Sequence, residues 1–158
     1  MRISTRGRYA LRMMLDIAKH GKNSVPVSLS TVSDRTGISH GYLEQLAPAL
    51  RAARLVKSVA GRHGGYRLAS PAAEISIRQI IEASIGPVCI VDCVDEPESC
   101  LRADYCECRV VYSLINQRIA QVLDDFSLAD LTDPSWTRTK GGDLERQLIS
   151  MEGPPSSQ

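Results

Sequence analysis

The chain has 158 residues, 43% hydrophobic and 23% charged; such usage supports a real core and excludes both wholesale disorder and a large enzyme with separate cofactor and substrate halves. No stretch approaches the roughly 18 consecutive apolar residues of a membrane helix, and no secretory leader is legible, so the protein is expected in the cytoplasm with no membrane partner. The net charge of +1 hides an asymmetry: residues 1–70 hold 12 Lys/Arg against 3 Asp/Glu, or +9, which leaves −8 for the remainder, the pattern of a basic half that meets a polyanion and an acidic half with another task.

The first helix is expected to begin near Gly7, because Ala10, Met13, Met14, Ile17 and Ala18 recur at the spacing of one helical face. Arg2, Arg6, Arg8 and Arg12 surround its start. Gly21, Asn23 and Pro26 mark a turn. Ser28 is a ready N-cap for a short second helix that turns Leu29 and Val32 inward and ends at Thr36, where Gly37 supplies a left-handed residue. Ser39 caps again. Leu43, Leu46 and Leu50 then give the buried side of a third helix whose outward side carries Tyr42, Glu44, Gln45 and Arg51. Two helices joined by a tight glycine turn form a helix-turn-helix. Pro48 predicts a kink in the third helix, since it removes a backbone donor and crowds the Glu44 carbonyl, at a typical cost of about 3 kcal/mol.

Residues 55–59 are a short β-branched run, Gly61, Gly64 and Gly65 mark a turn, and residues 66–68 return as the partner strand, the wing of a winged helix. The wing loop is basic and nearly free of bulk, so its backbone can approach another surface closely. Ile77, Ile80, Ile81, Ser84 and Ile85 form another helical stripe, closed by Gly86 and Pro87. Farther on, Val111, Leu114, Ile115, Ile119, Val122, Leu123 and Phe126 repeat the rhythm over more than four turns. A small head covers only part of such a stripe, so packing on a second copy is expected, with a core helix folded back on its own subunit as the rival. Residues 127–131 suit a short capped turn, and the segment beyond, including Trp136, reads as disordered.

The expected fold is mainly α with a small β-hairpin: a winged helix-turn-helix domain plus a long C-terminal dimerisation helix. In residue numbers, the DNA-binding domain takes 1–70, a connecting helix 71–88, a cysteine-rich loop 89–108, the dimerisation helix 109–132 and a disordered tail 133–158.

A helix-turn-helix presents its second helix to the major groove of double-stranded DNA. That places Ser39, His40, Tyr42, Glu44 and Gln45 near base edges, where Gln pairs with adenine and Glu accepts from the cytosine amino group. Arg2, Arg6, Arg51 and Arg54 suit phosphates, and Arg62, His63 and Gly64 of the wing suit the minor groove. No enzyme signature is found: the histidines lie apart from the cysteines, and the glycine run lacks the Lys-Ser/Thr ending of a phosphate loop. The five cysteines, Cys89, Cys93, Cys100, Cys106 and Cys108, all fall within one 20-residue window among many carboxylates. An odd count without a leader argues against a disulfide framework, and the absence of a C-x2-C knuckle fits zinc less well than a metal cluster wrapped by a flexible loop. Thiolates nonetheless accept zinc, copper(I) and iron-sulfur clusters alike.

On these residues the chain resembles the winged-helix regulators that include the iron-sulfur cluster regulator IscR, the nitric-oxide sensor NsrR, the iron regulator RirA and the cysteine-metabolism repressor CymR. The resemblance runs from Met1 to about Leu131. It rests on the opening Met1, Arg2, Ile3 and Ser4 with Gly7, Arg8, Tyr9 and Ala10, and on the turn Gly37, Ile38 and Ser39 followed by Tyr42, Leu43, Glu44, Gln45 and Leu46. The wing residues Gly64, Gly65 and Tyr66, and the late run Leu128, Ala129, Asp130 and Leu131, complete it. The opening most resembles the IscR branch. The resemblance implies a homodimer with crossing long helices and a [2Fe-2S] cluster, with [4Fe-4S] as the other form. Its ligands would be Cys93, Cys100 and Cys106, which match the family's three cluster cysteines by order and approximate spacing. Arg109 stands where IscR proper has a histidine, and Arg8 where the NsrR type has an acidic residue; a guanidinium cannot ligate, so Cys108 and Cys89 remain the two candidates for a fourth ligand. Gly41 replaces the serine that the IscR branch carries before its tyrosine. The function implied is repression or activation at an operator whose affinity follows the cluster, with a cluster-free repressor controlled by zinc, thiol oxidation or a partner protein as the alternative. An iron-sulfur electron carrier is the third reading.

Overall fold

The computed structural model describes residues 3–21, 25–133 and 135. Arg2, Trp136 and the tail from residue 136 lie outside the described residues. Helix α1 (Thr5–His20) is the central pillar, and it starts two residues earlier than expected because the Ser4 hydroxyl accepts from the Gly7 N–H and caps the first turn. Its buried face carries Ala10, Met13, Met14 and Ile17, as the periodicity predicts. Gly7 is buried, and an added Cβ there would press Ile3 at 3.3 Å and meet Ile81 and Ile85.

Helix α2 (Leu29–Thr36) begins at Ser28, whose hydroxyl accepts from the Thr31 N–H, and ends at Gly37 with φ +71°. Two arginines fasten α1 and α2 together. Arg12 donates to the Thr36 carbonyl at 2.9 Å, and Arg35 holds the buried Asp16 with a fork of 2.9 and 2.6 Å. Hydrogen bonding to Asp16 raises the Arg35 pKa above its ordinary value. Helix α3 (His40–Ala52) buries Leu43, Leu46, Ala47 and Leu50 and runs on through Pro48. Ser39 occupies its N-cap position without making a side-chain cap bond. Its exit turn uses Arg54 at φ +58°, a left-handed residue where the sequence offers no glycine.

Strands β1 (Val56–Val59) and β2 (Gly65–Leu68) form the antiparallel hairpin, with Val56 opposite Leu68 and Val59 opposite Gly65. Each differs by one residue from expectation: Leu55 is buried ahead of β1, and Gly65 already belongs to β2. The sequence reading missed a third participant. Val27 exchanges two 2.8 Å backbone bonds with Tyr66, and a Cβ at Gly65 would collide with the Val27 carbonyl, so the glycine is what admits this extra rung.

A 3-10 turn (Ala72–Glu74) leads to α4 (Ile77–Ile85), opened by a capping box of Ser76 and Gln79. Ile77, Ile80, Ile81 and Ser84 are buried, but Ile85 is exposed, on the side that faces the long helix rather than the core. The cysteine segment folds as α5 (Asp92–Asp95) and two 3-10 turns, Pro97–Ser99 and Ala103–Tyr105. Helix α6 (Glu107–Asp124) follows, and then α7 (Leu128–Thr132), capped by Ser127 and Asp130. Phe126 falls after α6 rather than on its stripe: its carbonyl accepts from Ile77 at 2.9 Å, and Leu128 donates to Ile75 at 2.7 Å. Leu128 is fully buried and belongs to the head's core, the same cluster as Ile75. The result is mainly helical with one small hairpin, as expected. No described helix is long and apolar enough to cross a membrane.

Candidate functional site

The basic face is built on α3 and the wing. His40, Glu44, Gln45 and Arg51 are exposed along α3, and the first turn pairs His40 Nδ1 with Glu44 at 3.7 Å. Tyr42 is not on the outward side that periodicity assigned to it. Its ring is half-buried edge-on against Tyr9, with centroids 5.5 Å apart, because the third helix crosses α1 there. Arg62 and His63 are exposed at the wing tip, and Gly64 is held so tightly that a Cβ would strike the Val59 carbonyl. The tip closes one side of a cleft of about 400 Å³ whose other walls include His20, Ser28, Thr31 and Arg35. Arg6, expected at phosphates, is half-buried and bonded inward: Nε donates to the Ser84 carbonyl at 2.7 Å and Nη2 to the Gln45 carbonyl at 3.4 Å.

The acidic half presents its five thiols unpaired. Cys93 lies half-buried in α5, Cys100 is exposed after the Pro97–Ser99 turn, and Cys106 is half-buried at the N-cap of α6. Cys108 is exposed on the first turn of α6. Cys89 sits apart: its thiol donates to the Val91 carbonyl at 2.9 Å and lines an apolar cleft with Ile3, Ile81, Ile85, Ile119 and Leu123. Among the described residues no three metal-binding side chains converge on one point. What shapes the loop is Arg109, a residue that sequence reasoning noted only as a missing ligand. Its Nε donates to the Cys93 carbonyl at 2.8 Å and its Nη1 to the Ala103 carbonyl at 3.4 Å, so one guanidinium joins both limbs. The loop's entry is also pinned, with Val88 N–H on Glu82 at 3.3 Å and Ile90 N–H on Asn116 at 3.2 Å.

The profile of the Rrf2 family, described as "Iron-dependent Transcriptional regulator", matches residues 3–134. The chain belongs to the Rrf2 family. It is 39% identical over 131 residues to protein rrf2 of Nitratidesulfovibrio vulgaris, covering 83% of this chain and 87% of that one. It is also 39% identical over 133 residues to the HTH-type transcriptional regulator IscR of Serratia proteamaculans, covering 84% and 80%. Among solved structures it is similar to CymR, the global cysteine regulator of B. subtilis, with 36% identity, a TM-score of 0.69 and coverage of 84% and 96%. The winged-helix architecture is therefore that of Rrf2 regulators, and the chain is a transcription regulator rather than an enzyme.

Proposed function

We propose that the chain is a homodimeric, DNA-binding regulator whose operator affinity follows an iron-sulfur cluster held by the cysteine loop. The observation that carries this reading is the excursion of unpaired thiols between α4 and α6, pinned at its entry to both helices. Its donor set suits thiophilic iron, and the short turns that carry Cys93, Cys100 and Cys106 leave the loop able to close. These three would hold the cluster, with [2Fe-2S] the first expectation. Exposed Cys108, two residues past Cys106, suits the fourth position better than Cys89, whose thiol is already bonded. A bound cluster supplies a centre that responds to oxidants, nitric oxide or iron supply. The chain's own residues transmit the response. Glu82 joins the loop entry to Arg78, which reaches Asp124 at the far end of α6 at 3.0 Å, so a shift of the loop bears on both ends of the long helix.

On the DNA side, His40, Glu44 and Gln45 read bases, Arg51 meets phosphate, and Arg62 with His63 enters the minor groove. Arg62→Ala weakens binding to all duplexes and lowers the log–log salt slope by about one, measured as dissociation constants across a salt series. An unchanged slope and affinity would remove the wing from the interface.

The separation of the thiols and the likeness to CymR favour one alternative, the same head controlled by zinc, thiol oxidation or a partner protein. Anaerobic purification with iron, acid-labile sulfide and zinc assayed per monomer separates the two. Iron and sulfide in equal amounts, with thiolate-to-iron absorbance, support the cluster; zinc alone, or metal-free protein that binds DNA fully after attempted reconstitution, supports the alternative.

A further inference from the structure

We propose that Arg6 is a positioning residue for DNA reading: its guanidinium ties the recognition helix α3 to the end of α4, at the very turn that Pro48 weakens. The inference rests on α3 being the helix that enters the major groove. Pro48 has no N–H, so the Glu44 carbonyl receives no bond from the residue four positions on, and the helical ladder is interrupted beside Gln45. Glu44 and Gln45 are the exposed side chains of that same turn. Arg6 bonds the neighbouring Gln45 carbonyl at 3.4 Å while its Nε donates at 2.7 Å to Ser84, one of the last four carbonyls of α4 and so without a helical donor. Ser84 itself is buried, with its hydroxyl on the Ile81 carbonyl at 2.8 Å, which gives the fork a fixed anchor. One planar group thus sets the rotation of α3 about its axis relative to α1 and α4. A lysine cannot do this, since a single ammonium lacks the fork geometry that spans two carbonyls on different helices.

A phosphate contact, the role that sequence alone assigns to Arg6, makes opposite predictions. The test uses Arg6→Lys, which keeps the charge, and Arg6→Met, which does not. The specific probe is a duplex recovered by the wild-type protein in successive rounds from a random-sequence pool, and the reference is an unrelated duplex of equal length. The tie predicts that both variants lose about tenfold in the ratio of specific to non-specific affinity, while Arg6→Lys keeps the wild-type salt slope on the reference duplex. It also predicts faster amide exchange confined to residues 45–50, with Met13 and Met14 protected as in the wild type. That readout keeps the test valid if the methionine variant folds poorly. An Arg6→Lys protein indistinguishable from wild type, beside an Arg6→Met protein weakened equally on both duplexes with a salt slope smaller by about one, would overturn the proposal in favour of a phosphate contact. Failure of the wild-type chain to enrich any duplex sinks the sequence-specific reading itself, and the tie with it.

Discussion

Alanine at Cys93 or at Cys106 is expected to leave anaerobically purified protein with less than about a tenth of the wild-type iron and no thiolate-to-iron absorbance, because the proposed cluster, deprived of one of its three thiolates, would keep too few ligands to resist hydrolysis. The two cysteines stand at opposite limbs of the loop, in α5 and at the cap of α6, and Arg109 bridges those limbs through the Cys93 and Ala103 carbonyls. Neither thiol lies in the hydrophobic core, so the thermal midpoint of the metal-free protein stays within about 3 °C of wild type. Cys89→Ala retains the cluster, since that thiol is bonded to Val91 and lines the apolar cleft. Full iron and sulfide in both the Cys93 and Cys106 variants would dismiss the ligand assignment.

The second large effect concerns assembly. Leu114 and Val122, two turns apart on α6, are 57% and 54% exposed, and with Ile115, Ile119 and Leu123 they line an apolar groove of about 450 Å³. In the proposed homodimer this exposed stripe would be the interface, and a two-fold axis would bury each residue twice. Changing both to aspartate places four charges in that interface. The expected outcome is a monomer in sedimentation velocity at micromolar protein, with operator affinity lower by at least about a hundredfold, because two heads held about 34 Å apart reach successive major grooves together while one head binds alone. A double variant that still sediments as a dimer would move the interface elsewhere. Unaltered operator affinity in a monomer would mean that the heads bind independently.

What could be read from the sequence was what local chemistry dictates. Ser28 and Gly37 announce their helix ends because caps act within one turn, and the apolar faces of α1, α3 and α4 follow from a period of 3.6. The thiol window was equally plain, since residue type alone marks it. Contacts made across long sequence separations were not legible. Arg6 and Ser84 are 78 positions apart, so a basic residue near the N-terminus reads as a phosphate contact until the fold brings a carbonyl to it. Tyr42 reads as outward because its helical angle is right for solvent, but Tyr9 reaches that face. The Val27 rung and the burial of Leu128 share this origin: each depends on a partner supplied by a distant segment. A β-branched pair around Pro26 was the only available hint of the former.

The return of the chain at Leu128 also orders events during synthesis. Ser76 and Ser127 lie opposite each other in an isolated bridge, so the cysteine loop and α6 form one long detour that starts and finishes at the same spot on the head. Translation at about 5–20 residues per second therefore releases the DNA-reading half several seconds before the leucine that fills its core. Until then the nascent head lacks one of its fully buried core residues, the one whose backbone bonds Ile75, and the thiols emerge from the ribosome before the head is complete. The thiol loop and the core of the head are thus completed together, and a chain terminated within α6 would lack the leucine that plugs its own head.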